Sequence, residues 1–201
     1  MEIKKSMNLS YPDIYEMEDL EERRLYINSG IDEEVIDTIV YHIMRYNRED
    51  KDIEDASKRT PIKLYINSVG GDTYNGYALI SAIQSSITPI YTINQGMCAS
   101  MAFLIFIAGD ERFSMKNSTF LMHEGMNGGF DNTSKMRERI EYETGELERL
   151  TKDFVLENTK ITNELYDEKY RAEWYMLPTK AKEYGIVDYI VGVDCTIDEI
   201  L

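Results

Sequence analysis

A chain of 201 residues with a hydrophobic share of 43% can bury one substantial core, and one domain is expected. The formal charge of −15 speaks against a nucleic-acid partner, whose phosphates are neutralised by Lys and Arg, and no apolar run approaches the roughly 18–20 residues that cross a membrane. Cys98 and Cys195 are too few and too far apart in sequence for a disulfide framework or a metal site, so reduced thiols, no metal and no cofactor are expected.

The chain opens on Met1-Glu2-Ile3-Lys4-Lys5-Ser6 and continues polar and acidic where a secretory signal would be apolar, so a cytoplasmic protein is expected. Residues 1–20 lack periodicity and read as a loosely held arm or loop ahead of a domain spanning 21–201. Arg24-Leu25-Tyr26-Ile27 is a short strand, Asn28-Ser29-Gly30 a turn, and Ile31, Val35, Ile36, Ile39 and Val40 recur at helical spacing. Ile62 to Ile66 is the next strand and runs toward the pair Gly70-Gly71. Tyr74 to Ile83 reads as a buried helix, Pro89 to Ile93 as a third strand, and Ser100 to Ala108 as a helix too apolar for the surface. Arg112 to Met115 and Thr119 to Met122 add two short strands.

This alternation predicts an α/β fold with right-handed crossovers and a mainly parallel sheet. Met136, Ile140, Leu147, Leu150 and Phe154 then mark a long amphipathic helix from about 132 to 160. It is longer than one small core needs to cover. A solvated overhang is one reading; packing against a neighbouring subunit is the preferred one, because helices gain most of their stability from packing.

Three features carry chemistry. In Gly96-Met97-Cys98-Ala99-Ser100-Met101-Ala102 a serine sits among small residues at a strand-to-helix junction, where backbone can approach a substrate carbonyl. Serine needs a base, and His123, at the end of the strand Thr119–Met122, has a side chain suited to that task near neutrality. Open α/β sheets place their sites at such strand ends. The Gly71 N–H and the N–H of Met101, just after the serine, could stabilise an oxyanion, while Gly70-Gly71 permits close approach. The bland alternatives are a histidine satisfied in a turn and a glycine pair that only makes one; together the three features point to a serine hydrolase.

The same residues resemble the ClpP family, the serine peptidase subunits of the Clp protease, over about residues 24–193. Tyr65-Ile66-Asn67-Ser68-Val69-Gly70-Gly71 is similar to the family's YINSPGG with Val69 in place of proline. Gly96-Met97-Cys98-Ala99-Ser100-Met101 is similar to GMAASM, Met122-His123-Glu124 to IHQ, and Ala181 to Asp188 closes the match. The resemblance implies a ClpP/crotonase-like fold of repeated β-β-α units with a projecting handle helix. It implies Ser100 as nucleophile, His123 as base, and Gly71 with Met101 as oxyanion hole. It further implies that Gly70 and the edge strand carrying Gly128, Gly129 and Phe130 bind the peptide, by strand addition that reads backbone. The handle would interdigitate two seven-membered homo-oligomeric rings around a chamber, into which an AAA+ Clp ATPase feeds unfolded polypeptide.

The family's catalytic aspartate falls on Glu173 in Arg171-Ala172-Glu173-Trp174-Tyr175. Glutamate keeps the carboxylate on a longer stem, and Ser-His-Glu triads occur on other hydrolase folds; Asp167 and Glu168 are the other carboxylates at hand. Two departures bear on assembly. Arg171-Ala172 replaces an Asp-Arg pair that bridges rings, and Lys63 stands where an aromatic residue lines the ATPase dock, although Tyr65 remains. The altered Glu173 and Lys63 motivate one alternative, a phage-type capsid or scaffold maturation protease working without an ATPase; a catalytically silent ring subunit partnering an active paralogue is an alternative from a different class. Acyl-CoA enzymes of the crotonase class have no need of Ser100 and His123 together, and lysine-based signal-peptide peptidases would leave His123 unexplained.

Overall fold

The computed structural model describes residues 10–125 and 132–201. The expected peptide-binding residues Gly128, Gly129 and Phe130 lie outside them. Residues 11–20, read from sequence as an arm or loop, instead lie in a helix, α1 (Tyr11–Glu21). Ser10 and Asp13 cap one another's backbone at its start, and Pro12 sits where a missing N–H costs nothing. Helical periodicity is absent here because α1 has no continuous apolar stripe to bury.

The sheet runs in the order β1 (Arg24–Ile27), β2 (Ile62–Ser68), β3 (Ile90–Ala99), β4 (Glu111–Met115), β7 (Tyr189–Val191), all parallel. Between these strands lie α2 (Tyr41–Asp50), entered through a π-helical turn at Ile36–Val40, then α3 (Thr73–Gln84) and α4 (Met101–Ile107). Strand β3 is longer than Pro89–Ile93. Its first half pairs with β4 through Tyr91–Asn94 and its second half with β5 (Thr119–Met122) through Met97–Ala99. The sheet therefore forks along β3, and a bulge in β3 accommodates the fork, because β3 runs from Asn94 to Cys98 while its partner β2 runs only from Ile66 to Ser68. Asn67 bridges that irregularity by accepting the Met97 N–H (3.2 Å), and Asn94 donates to the Thr119 carbonyl (3.0 Å).

Alternation along β2 decides which layer each residue joins. Leu64 and Ile66 enter the main core with α3 and the fully buried α4, whereas Tyr65 turns to a smaller cluster with Ile93, Phe113, Val191 and Ile200 on the opposite face. Because every residue of α4 is buried, it is the central helix of the molecule, as its apolar sequence requires. The long helix is present as α5 (Thr133–Tyr142), a π-helical turn Glu143–Leu147, and α6 (Glu148–Asn158). Its second half contributes Phe154 and Val155 to the core, while α5 buries nothing and exposes Ile140 and Tyr142. Beyond it come α7 (Asn163–Lys169), the short strand β6 (Trp174–Met176), which pairs antiparallel with β5, and α8 (Pro178–Glu183). No helix among the described residues is long and apolar enough to cross a membrane.

Candidate active site

Register brings the expected residues to one edge of the sheet. Ser68 of β2 pairs with Cys98 of β3, and Ala99 pairs with Leu121 of β5, so the segments leaving these parallel strands emerge side by side. Strand β6 arrives there from the opposite direction. Its pairs are Phe120 with Met176, Leu121 with Tyr175, and Met122 with Trp174. One further step along the same register sets His123 opposite Glu173. The imidazole Nδ1 of His123 lies 3.1 Å from the Glu173 Oε1, inside hydrogen-bonding distance. Asp167 is instead engaged by Lys152, and Glu168 by Lys169.

Ser100 stands at the junction of β3 and α4 with φ 54° and ψ −123°. Arg23 and Ser100 are the non-glycine residues with positive φ among the described residues, and such a conformation costs on the order of 1–3 kcal/mol. Its surroundings hold it there. The Ser100 N–H donates to the Leu121 carbonyl (2.9 Å), and its own carbonyl accepts from Phe103 N–H (3.0 Å) to start α4. Cys98, two residues earlier, is fully buried, and burial pushes its thiol well up, which fits a packing role.

The glycine pair is required sterically. Gly70 has φ +93°, and a Cβ there would stand 2.7 Å from the Ala99 carbonyl oxygen and 2.9 Å from the Met101 nitrogen. That distance shows how tightly the Gly70-Gly71 turn is pressed against the serine junction. Ile31 forms a bridge across the turn, donating to the Gly70 carbonyl (2.9 Å) and accepting from Asp72 N–H (2.7 Å). Neither of those bonds uses the Gly71 N–H. Met101 is the first residue of α4, so its N–H has no helical acceptor four residues back. The two N–H groups thus remain available beside Ser100. Asp72 then caps α3 by accepting the Asn75 N–H (2.8 Å), and Gly76 on α3 leaves room for the Met101 side chain.

Gly71, Ser100, Met101 and His123 all line one cavity of about 350 Å³. Among the described residues, no hydrogen bond joins the Ser100 hydroxyl to His123; the two meet as neighbours in the cavity wall, a looser arrangement common without substrate. The His123 side chain is 15% exposed and Glu173 59%. With Nδ1 directed to a carboxylate, Nε2 is the nitrogen left for a hydroxyl proton. The Glu173 carboxylate also pushes up the pKa of the Tyr175 phenol beside it. The described residues contain no cluster of three His, Cys, Asp or Glu that could hold a metal ion.

The family model described as Clp protease matches residues 7–194. The chain belongs to the Clp protease family. Among curated proteins, this family member is 27% identical over 177 residues to an ATP-dependent Clp protease proteolytic subunit 2 of Treponema pallidum, covering 86% of this chain and 83% of the relative. It is 29% identical over 174 residues to an ATP-dependent Clp protease proteolytic subunit 1 of Prochlorococcus marinus, covering 86% and 85%. A proteolytic subunit of Deinococcus radiodurans matches at 25% over 174 residues, covering 86% and 81%. The match extends beyond the 24–193 read from motifs. Family membership makes the chain a serine peptidase of α/β fold, of the kind that forms oligomeric rings with Clp ATPases.

Sequence reasoning missed the rest of the cavity wall. Glu143, Thr144 and Leu147 of the π-helical turn line it, as do Tyr166 and Tyr170 from α7 and the residue that ends it. Gly145 within an otherwise helical pattern was the available signal, since a glycine costs helix stability unless local geometry needs it.

Proposed function

We propose that this Clp protease family member is an endopeptidase whose Ser100 attacks the peptide carbonyl. His123 Nε2 takes the hydroxyl proton as the bond forms and returns it to the leaving amine; a water then repeats the sequence in reverse to release the acyl-enzyme. Glu173 holds the imidazole by Nδ1 and stabilises its protonated form. Gly71 and Met101 N–H groups receive the tetrahedral oxyanion, each donor contributing about 3–4 kcal/mol to transition-state stabilisation. The single observation carrying this reading is the positive-φ Ser100 held in one cavity wall with His123, whose other nitrogen is bonded to Glu173.

The assembly is a seven-membered ring, stacked in pairs through the long helix, in the cytoplasm. Ile140, Tyr142 and Leu150 are exposed along that helix, and exposed apolar side chains on a projecting helix support a subunit contact. The substrate is unfolded polypeptide delivered by a Clp ATPase. The matched relatives are named ATP-dependent proteolytic subunits, which does not favour capsid maturation without an ATPase. A fluorophosphonate probe is expected to label Ser100 in the assembled protein, and casein degradation to require a Clp ATPase and ATP. Equal labelling of wild type and Ser100→Ala would end the nucleophile assignment.

A further inference from the structure

The cavity that carries Ser100 and His123 is acidic where a broad-specificity peptidase needs only apolar walls. Asp72, Glu124, Glu143 and Glu148 line it against one guanidinium, Arg139. Among the described residues, two of its polar atoms are buried with no hydrogen-bond partner. The Glu143 side chain is 11% exposed, and its Oε2 makes no hydrogen bond; Tyr166 is 1% exposed, and its hydroxyl makes none. Buried polar atoms are rarely left in this condition, because each lost bond costs the full desolvation of the group. Arg139 does not meet the need of Glu143. Its Nε stands 3.7 Å from Oε1, beyond hydrogen-bonding distance, and its side chain is 44% exposed, where ion pairs contribute little. Lys152, over the Tyr166 ring, is engaged by Asp167 at 2.5 Å.

The backbone gives a second reason to look here. Glu143 opens the π-helical turn Glu143–Leu147, and three residues of that turn face the cavity. Single π-turns inside α-helices occur frequently at functional sites, since the extra residue re-aims the side chains around it. Leu104, Leu147 and Val155 supply apolar wall in the same cavity. An aliphatic stem ending in a multiple N–H donor matches both surfaces.

We propose that this cavity is the specificity pocket and that Glu143, with the Tyr166 hydroxyl, selects lysine or arginine on the acyl side of the cleaved bond. The arriving cation gives Oε2 and the phenol oxygen the donors they lack, while its stem covers Leu147 and Val155. A leucine would leave both oxygens desolvated and unpaired, and that asymmetry is where discrimination arises. Arg139 opposes the preference as a like charge. The assignment rests on Ser100 being the nucleophile.

The test compares two fluorogenic peptides that differ only in arginine or leucine at the cleaved position, on assembled protein whose Ser100 sites are counted with a fluorophosphonate. The kcat/KM ratio of arginine to leucine peptide is expected to be about tenfold or more. Glu143→Gln, which keeps size and removes charge, should bring the ratio to about one or below. Arg139→Gln, at an exposed side chain that puts folding at no risk, should raise it severalfold. Full labelling with a wild-type ratio below one, or with a ratio unmoved by both variants, overturns the pocket assignment and leaves the nucleophile standing. Absence of both labelling and hydrolysis in assembled wild type overturns the nucleophile reading, and the pocket falls with it.

Discussion

Ser100 and Glu173 reach the same site by opposite means. Ser100 follows the longest strand, is fastened to Leu121 on one side and pressed by Gly70 on the other, and opens a helix with no exposed residue. Glu173 precedes a three-residue strand at the end of the sheet and is more than half exposed. A strained backbone persists only where neighbours over-determine it, whereas an exposed carboxylate is held by register and one hydrogen bond. Packing places the proposed nucleophile, and pairing register places its proposed orienter.

Ser100→Ala should therefore give the largest loss, about 1,000-fold or more in kcat/KM for an unfolded substrate, with fluorophosphonate labelling abolished. Its melting temperature should stay close to that of wild type, since a methyl fits wherever the hydroxyl did. Gly70→Ala comes next. The added Cβ meets backbone atoms of Ala99 and Met101 at 2.7 and 2.9 Å, and φ +93° strains any L side chain, so the turn must back away from the junction. Displacing the Gly71 donor by that movement should cost about 100-fold in kcat, with a lowered melting temperature. A fully active, equally stable Gly70→Ala enzyme would show that the junction is softer than its contacts imply.

Glu173→Gln tests the other half. In buried triads the corresponding charge removal is severe, but water screens a carboxylate that is 59% exposed. A loss of about 10-fold to 100-fold in kcat is expected, with labelling slowed rather than abolished. A loss near that of Ser100→Ala would mean that a neighbouring subunit covers Glu173 in the ring and removes the screening. Comparing single subunits with assembled rings by labelling rate separates the two cases.

Much of this contrast was legible in the sequence, and unevenly so. The strands β1, β2 and β5 and the helices α3 and α4 follow from apolar runs bounded by Gly, Asn and Asp, because buried segments leave an unambiguous pattern. The second half of β3 does not, since Gln95-Gly96-Met97-Cys98 has neither alternation nor β-branching; it is a strand because it pairs with β5 and, past its own bulge, with Ser68 of β2. Ser100, His123 and the Gly70-Gly71 turn were readable as local chemistry. Glu173 was reached only by counting along a resemblance, because β6 is three residues long and owes its existence to pairing with β5. The acidic cavity wall was invisible for a related reason. Glu143 and Tyr166 read as a surface charge and a helix aromatic, and only the π-turn and the seating of α7 bring them to the cavity of Ser100.

The smallest expected effect belongs to Tyr175, and it measures how loosely the Glu173 end is held. Tyr175, in β6, pairs with Leu121 of β5 and is exposed. The carboxylate beside it raises the phenol above its ordinary value near 10, so the hydroxyl keeps its proton throughout the neutral range and remains a donor toward Glu173. An exposed donor competes with water and contributes little, and Tyr175→Phe should lower kcat by no more than about twofold to threefold at neutral pH. The sign of the pKa shift fixes the pH dependence. The phenol's contribution is complete below pH 10 and fades as pH rises through the raised value, so wild type and Tyr175→Phe should converge only in strong alkali, in a pH profile of labelling rate. A loss of tenfold or more at neutral pH would show that Glu173 is aimed by two partners rather than one, and that this end of the site is as firmly built as the serine junction.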